Sequence, residues 1–246
     1  MIHHNGGNRM KNIFKKKATE KKKTNTRKVK KSNKKKELEI VRADEKEFDS
    51  FFSEVIKRFP EKTSSIILNS FEKSKEQAEK ILDKSKNQVN GIFDEFLKDV
   101  DEETRKKCHQ TVHAASLTAA IIGCSPIPFS DAILLVPVQL TMMARLHKIF
   151  GQSWSESMGK SLGKEIVVVG LGKSAVGNLL KFIPAVGTVA GAAINATVAS
   201  TITETLGWVT VKMLNDGEDI FEQTMTVKGQ FSALFKAVQS ASKKSK

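Results

Sequence analysis

Two uncharged apolar stretches, separated by a short segment with two prolines, constrain the fold of this 246-residue chain more than any other feature. His113–Cys124 and Ala132–Ala144 contain no Asp, Glu, Lys or Arg, and Ser125–Asp131 (SPIPFSD) lies between them. Because proline cannot continue a helix, the chain must turn in that segment. The pattern predicts a helical hairpin, with a kink at Pro137 inside its second arm.

Glycine at helical spacing marks a second apolar block, which runs from Glu165 to about Trp208. After Pro184, Gly187 and Gly191 form a GxxxG pattern. Glycine inside a helix costs about 1 kcal/mol relative to alanine, so a run that retains several needs a physical reason. Close approach of two helix backbones is one such reason, and membrane helices use it. A tightly packed core in water is the alternative.

An amphipathic pattern precedes the apolar half, from Asp44 to Val100, with phenylalanines at three- and four-residue steps and Pro60 ending the first helix. Opposite charges four residues apart fill the rest of the pattern. We therefore predict an all-α fold in which an amphipathic helical arm is followed by apolar helical hairpins with small-residue packing. The predicted division is a disordered Lys-rich tail over 1–40, the arm over 41–104, the hairpin domain over 105–215, and a C-terminal helix with a basic end over 216–246.

The net charge of +14 belongs almost entirely to the N-terminal tail. Residues 1–38 hold fifteen basic residues and two acidic ones, and translation could begin at Met1 or at Met10. Such a segment has almost nothing apolar to bury, which predicts disorder. Within the tail no aromatic residue follows Phe14, which disfavours stacking on nucleic-acid bases. An anionic membrane surface is therefore the expected partner of the tail, and nucleic acid is the less favoured one.

Length limits the membrane interpretation, because a spanning helix needs about 20 mostly apolar residues. Only Pro126–Ala144 and Ile183–Thr203 approach this length. Basic residues precede the first hairpin arm and follow the second, which predicts that both termini face the cytoplasm. Trp154 and Trp208 lie just outside the apolar blocks, as interfacial tryptophans do. A cytoplasmic protein is the alternative localisation.

No set of residues predicts catalysis or a bound cofactor. Gly172–Ser174 resembles the end of a phosphate-binding loop, but Val167 stands where its leading glycine is required. Cys108, His109 and His113 do not converge on one metal ion at helical spacing, and a histidine pair at a helix end is the simpler interpretation. We therefore expect a protein that is not an enzyme.

A set of family-motif and packing positions lies in and after the hairpin: Ser125, Pro126, Ile127, Pro128, Phe129, Asp131, Met142, Arg145, Gly151, Pro184, Gly187 and Gly191. With these residues the hairpin region resembles domain of unknown function 697, a helical domain found C-terminal to Era-like small GTPase domains and in YcjF-like inner-membrane proteins. The resemblance covers about residues 105–215 and implies a helical, membrane-associated module without established chemistry. The GTPase domain that often precedes this module is replaced here by the arm and the tail, so guanine nucleotide hydrolysis is not carried over.

These features predict a membrane-associated accessory protein, with docking to a separately encoded small GTPase as its implied role. Two alternatives remain at this stage. One is a helical protein in water that binds RNA or ribosomes through its basic tail. The other is a bilayer-perturbing protein whose glycine-lined helices drive self-association.

Overall fold

The computed structural model describes residues 41–127, 132–155, 190–220 and 222–244, and all regular secondary structure in these ranges is helical. The all-α prediction is therefore confirmed. The chain divides into two compact units, Met1–Lys46 and Glu47–Lys246. In the first unit residues 41–46 are helical, and the predicted disorder of 1–40 falls outside the described residues. The boundaries proposed at 104 and 215 stay predictions.

The helices of the second unit up to Cys124 follow one another with connections of a few residues. The chain turns at Pro60, which caps the next helix, and again at Ser70, whose hydroxyl donates to the carbonyls of Ile66 and Ile67. A hydroxyl that bonds backward in this way competes with the backbone and favours a helix end. The helices are α1 over residues 47–56, α2 Glu61–Asn69, α3 Phe71–Phe96, α4 Glu102–Cys124, a 3-10 turn Ala132–Leu135, α5 Val136–Ile149, α6 Ala190–Asn215 and α7 Thr224–Lys244.

Helix α1 buries an aromatic face. Phe48, Phe51 and Phe52 are 8% exposed or less, and the ring of Phe52 lies 4.8 Å from that of Phe71 at the start of α3. The predicted charge pairs are present on the outer face of α3, where Lys80 lies 2.6 Å from Glu76. Both side chains are more than half exposed, so this pair contributes little to stability.

Helices α4 and α6 pack closely and form the centre of the fold. The side chain of Asp101 accepts a hydrogen bond from the backbone N–H of Thr104 and so caps the start of α4. A Cβ atom on Gly123 would lie 2.7 Å from the Cα of Ala196, so the two backbones touch at that point. At Gly207, further along α6, an added Cβ would lie within 3 Å of side-chain atoms of Val112.

Three sequence expectations are corrected by this arrangement. Pro137 lies in the first turn of α5, where proline is compatible with a helix, so it produces no internal kink. Among the described residues, Gly191 is exposed and a Cβ there would meet no atom within 4 Å, whereas close helix approaches are found at Gly123 and Gly207. Trp208 is 2% exposed and belongs to the core rather than to an interface.

In the ranges given above, no helix combines the length and the apolar character that crossing a membrane requires. The transmembrane helix that the apolar blocks suggested is therefore not found among these helices. Most of the second glycine-rich block, including Pro184 and Gly187, lies outside the described residues.

Candidate functional site

An open polar cleft of about 790 Å³ lies between α1, α4 and α5. It is the place where the N-terminal arm meets the apolar helical region. Carboxylates from α1 form one wall, and the cations of α4 and α5 form the other. The cleft is lined by Glu47, Ser50, Glu54, Lys107, Gln110, Thr111, Ala144, Arg145, Lys148 and Ile149.

Arg145 is the central side chain of the cleft. Its Nη1 donates to Glu47 Oε1 at 2.8 Å, and both Nη2 and Nε donate to Glu54 Oε2, at 2.8 and 3.2 Å. Nη2 also donates to the hydroxyl of Ser50 at 3.1 Å. The planar, five-donor guanidinium is suited to holding several acceptors at once, which an ammonium group does less well.

Two further contacts fix the arrangement. The guanidinium carbon of Arg145 lies 5.1 Å from the centre of the Phe51 ring, a distance at which the cation and the ring attract each other. The hydroxyl of Thr111, a buried residue of α4, donates to Glu47 Oε1 at 3.1 Å. Residues from three helices therefore meet around a single guanidinium.

The ionisation of these groups is coupled. Partial burial opposes the charge of Glu54, but the hydrogen bonds donated by Arg145 and Arg58 outweigh it and lower the pKa of the Glu54 carboxyl. Burial likewise opposes the charge of Arg145, and hydrogen bonds to Glu54 and Glu47 outweigh it and raise the pKa of the guanidinium. The Glu54 carboxylate and the Arg145 guanidinium are therefore both charged at neutral pH.

Helix α5 holds Arg145 in place through its own packing and termination. Met142, one turn earlier, is fully buried, and its sulfur lies 2.9 Å from the position that a Cβ on Gly207 would occupy. The helix ends in a Schellman motif, in which Gly151 has φ of 69° and the backbone N–H of Gln152 donates to the carbonyl of His147. Gly151 is therefore required for its backbone conformation.

Charged side chains of both signs line the cleft. No cluster of three or more metal-ligating side chains occurs within the described ranges. Lys107 pairs with Glu103 at 2.8 Å, and Lys148 extends an exposed cation at the rim. The cleft therefore combines walls of opposite charge, which Arg145 joins by its bonds to Glu47 and Glu54.

The family-motif residues fall in several places. Ser125 is buried and its hydroxyl donates to the carbonyl of Ile121, which ends α4, while Pro126 is exposed and Ile127 packs against the core. Met142 and Arg145 both lie on α5, where Met142 is buried in the core and Arg145 binds the carboxylates of α1. Gly191 is exposed, and a Cβ there would meet no atom of the described part of the chain within 4 Å. Pro128, Phe129, Asp131, Pro184 and Gly187 lie outside the described residues.

Sequence reasoning identified Arg145 but missed its partners. Glu47, Ser50 and Glu54 share one face of α1, at i, i+3 and i+7, and they border the aromatic face of the same helix. That spacing is a recognisable signal for a polar contact beside a buried face, although it does not name the residue contacted.

The histidines and cysteines that the sequence offered as candidate metal ligands either contact other rings or are buried. His109 and His113 lie inside α4 rather than at its end, with ring centres 6.3 Å apart, and the His109 ring is 5.6 Å from that of Trp208. Burial raises the pKa of the Cys108 thiol to about 12 and that of the Cys124 thiol to about 11. Thiols of this kind are poor nucleophiles at neutral pH.

Comparisons with known proteins agree with the resemblance and extend it. The family model described as "Domain of unknown function (DUF697)" matches residues 87–240, a wider range than 105–215. A curated relative, magnetosome membrane protein 22 of Magnetospirillum gryphiswaldense, is 33% identical over 111 residues, which cover 44% of this chain and 55% of the relative. The chain therefore spans about half the length of the curated relative that it matches. No solved structure matches the chain.

Proposed function

Because this chain belongs to the DUF697 family, we propose that it is a membrane-associated accessory protein that acts by binding rather than by catalysis. The observation that carries the proposal is the alignment with a relative whose name places that relative in the magnetosome membrane. Both termini are proposed to face the cytoplasm, as the distribution of basic residues predicts.

The Lys-rich tail supplies a physical means of association. Its thirteen net positive charges are concentrated in residues 1–38. A basic residue near an anionic bilayer contributes up to about 1 kcal/mol of attraction, which salt screens. The tail therefore concentrates the protein at membranes that contain anionic lipid, while the helical unit makes the specific contacts.

The role without catalysis is supported by two features of the chain. The charged side chains around Arg145 in the cleft are engaged with one another, and both cysteine thiols, which do not line the cleft, are buried with raised pKa values. This arrangement favours recognition of a charged surface. A small GTPase encoded elsewhere is the proposed partner of the cleft, on the grounds of family architecture and of the two oppositely charged walls.

Vesicle flotation tests the membrane proposal. The full chain is mixed with vesicles made of equal parts of phosphatidylcholine and phosphatidylglycerol, or of phosphatidylcholine alone, and compared with a chain that lacks residues 1–38. We expect the full chain to float with the anionic vesicles in low salt and the truncated chain to float much less. Failure of the full chain to bind anionic vesicles, together with salt-sensitive binding to ribosomes, would favour the RNA alternative instead.

The partner proposal has a separate test. Purified chain is immobilised and small GTPases from the source cell are captured in the GDP-bound and GTP-bound states, with Lys148→Glu as the cleft variant and Lys80→Glu as the control. Capture that depends on nucleotide state and is lost only in the Lys148→Glu variant supports docking at the cleft. Absence of a GTPase under every nucleotide condition counts against it.

A further inference from the structure

We infer that α4, α5 and α6 enclose an internal water-binding site, formed by Ser116, Gln139 and Thr203. The ligand is a single water molecule, which accepts and donates hydrogen bonds between one polar side chain of each helix. The inference goes beyond the proposed function and does not rest on it, because it concerns the way in which the central helices are joined.

The three side chains are polar groups of the core. Ser116 and Gln139 are each 1% exposed, and Thr203 is fully buried. The two hydroxyls and the Nε2 group of Gln139 have no hydrogen-bond partner among the described residues. Because an unpaired polar group destabilises a fold, buried ones are almost always bonded to protein or to ordered water. Three such groups therefore need a common explanation.

Two close contacts fix the alignment of α4 with α6. Gly123 lies against Ala196, and Gly207 lies against the side chain of Val112. Between these two contacts residue numbers rise along α4 while they fall along α6. The two helices therefore run antiparallel.

Ser116 and Thr203 lie opposite each other in this alignment. Ser116 follows Val112 by one helical turn in α4, and Thr203 precedes Gly207 by one turn in α6. Each residue is therefore on the face of its helix that meets the other helix. Thr205, whose hydroxyl also has no partner among the described residues, lies on the opposite side of α6 and outside this layer.

Helix α5 runs antiparallel to α4 and lies beside both α4 and α6. Val112 of α4 and Met142 of α5 lie against the same glycine of α6, so they mark one level of the fold. One turn later in α5, Arg145 binds the same Glu47 oxygen as Thr111 of α4. Because Thr111 precedes Val112, residue numbers rise along α5 while they fall along α4.

Gln139 completes the layer. It precedes Met142 by three residues, so it lies on the same side of α5 and one turn closer to the hairpin turn. Ser116 has the same relation to Val112 in α4. Three polar groups from three helices, none with a partner among the described residues, therefore lie at one level of the core.

Water has the chemistry that this layer requires. The Nε2 group of Gln139 donates only, whereas each hydroxyl both donates and accepts. An internal water typically forms about three hydrogen bonds to buried polar groups, and the layer offers three side chains. An anion is disfavoured, because the described buried residues of these helices include no Lys or Arg to neutralise it.

The site gives α5 a polar attachment near each of its ends. Gln139, near the start of the helix, is joined through water to α4 and α6. Arg145, near the end of the helix, binds the carboxylates of α1. The water therefore holds the hairpin together near its turn, which the bonds of Arg145 do not reach.

A high-resolution crystal structure of the full chain tests the site directly. We expect an ordered oxygen atom within hydrogen-bonding distance of the Ser116 hydroxyl, the Gln139 amide and the Thr203 hydroxyl. Direct hydrogen bonds among the three side chains overturn the inference, and so does close packing with no solvent atom between them.

Melting temperatures measured on the full chain test the site in solution. Ser116→Ala, Gln139→Met and Thr203→Val each remove one partner of the water, and we expect each to lower the melting temperature by about 3 °C. The matched control is Thr118→Val, because the Thr118 hydroxyl already donates to the carbonyl of Ala114 within α4. The effect of the control should add to that of Gln139→Met, whereas the effect of Ser116→Ala should not.

The triple variant separates hydration from packing. It leaves no polar group of the layer in need of a partner, so we expect it to recover about half or more of the summed loss of the three single variants. Circular dichroism verifies that each variant remains helical. A triple variant that shows the full sum overturns the inference, and so do single variants that each raise the melting temperature.

Discussion

The guanidinium of Arg145 donates two hydrogen bonds to a single carboxylate oxygen of Glu54, a residue 91 positions earlier in the chain. The contact joins α5, in the region matched by the family model, to α1, which precedes that region. A long-range charged contact of this kind connects the arm to the apolar helices, and the shape of the cleft depends on it.

Substitution of Arg145 by Leu is expected to destabilise the fold. It removes hydrogen bonds to charged acceptors and leaves two partly buried carboxylates without their cation, at a cost of about 1–2 kcal/mol. Urea unfolding at neutral pH measures the change in the free energy of unfolding. Arg58→Leu is the control, because Arg58 pairs with the same Glu54 at an exposed site, where about 0.5 kcal/mol or less is expected. Equal losses of unfolding free energy in the two variants would show that the hydrogen bonds of Arg145 stabilise the fold no more than an exposed ion pair does.

Alanine substitutions at three glycines should change the free energy of unfolding by different amounts. Gly123→Ala is expected to cost about 3 kcal/mol, because the new methyl group meets the backbone of Ala196 and the two helices must separate. Gly207→Ala should cost less, since the atoms it meets belong to side chains of Val112 and Met142 that can shift. Gly229→Ala, in open space within α7, should stabilise the protein by up to about 1 kcal/mol. Thermal unfolding measures the three changes in stability. If Gly123→Ala left the stability unchanged, that result would contradict the close packing of α4 and α6.

Thr205→Val is expected to increase stability. The hydroxyl of Thr205 is fully buried in α6 and finds no hydrogen-bond partner among the described residues. Valine has the same shape without the polar group, so the substitution should raise the free energy of unfolding by about 1 kcal/mol. Thr210→Val is the matched control, because the Thr210 hydroxyl donates to the carbonyl of Leu206 in the same helix and is equally buried. A gain at Thr210 as large as that at Thr205 would contradict this account.

Stability should fall on mild acidification because of His147. Burial lowers the pKa of this imidazole, while its hydrogen bond to the Met143 carbonyl and the charge of Asp219 act in the opposite direction without cancelling the effect. Because the pKa of His147 is lower in the folded chain than its unfolded value near 6.5, the neutral imidazole favours the fold at pH values above 6.5. This contribution to stability is lost as the pH falls through the folded-state pKa. Urea unfolding between about pH 7 and pH 5 measures the slope.

His147→Gln provides the comparison for that measurement. The Gln amide can still donate to the Met143 carbonyl, but it does not titrate in this range. We expect a smaller loss of stability on acidification in the variant than in the unsubstituted chain. An identical slope in the two proteins would assign the pH dependence to other groups.

Both cysteines should resist modification in the folded protein. The pKa values of about 12 and about 11 keep Cys108 and Cys124 protonated at neutral pH, and both side chains are buried. A thiol-specific disulfide reagent should therefore react slowly with the native chain and completely in denaturant, with Cys124 the faster of the two. Peptide mapping after timed alkylation identifies which thiol reacts. Immediate labelling of native Cys108 would contradict the packing of α4.

The sequence was sufficient for some features because they depend on local patterns. The ends of α4 at Cys124 and of α1 before Pro60 follow from helix periodicity and from proline chemistry. Arg145 entered through the family resemblance. The carboxylates that bind it could not be identified, because their distance along the chain is set by tertiary packing, and no local pattern encodes which helix faces meet.

The errors have a common physical origin. Gly191 and Trp208 were assigned from rules that suit a membrane, in which GxxxG faces pack and tryptophans occupy the interface. The structure places the close approaches at Gly123 and Gly207 and packs the Trp208 ring 5.6 Å from that of Phe93. Small residues and tryptophan serve a helical core equally well, so composition alone cannot distinguish the two environments.

Membrane fractionation tests the central claim most directly. Cells that express the full chain at its native level are broken gently, and the membranes are washed in turn with low salt, high salt and alkaline carbonate. We predict that the chain sediments with the membranes in low salt and that a chain lacking residues 1–38 does so less completely. Recovery of the full chain in the supernatant at low salt, with no membrane-bound fraction, would contradict the account.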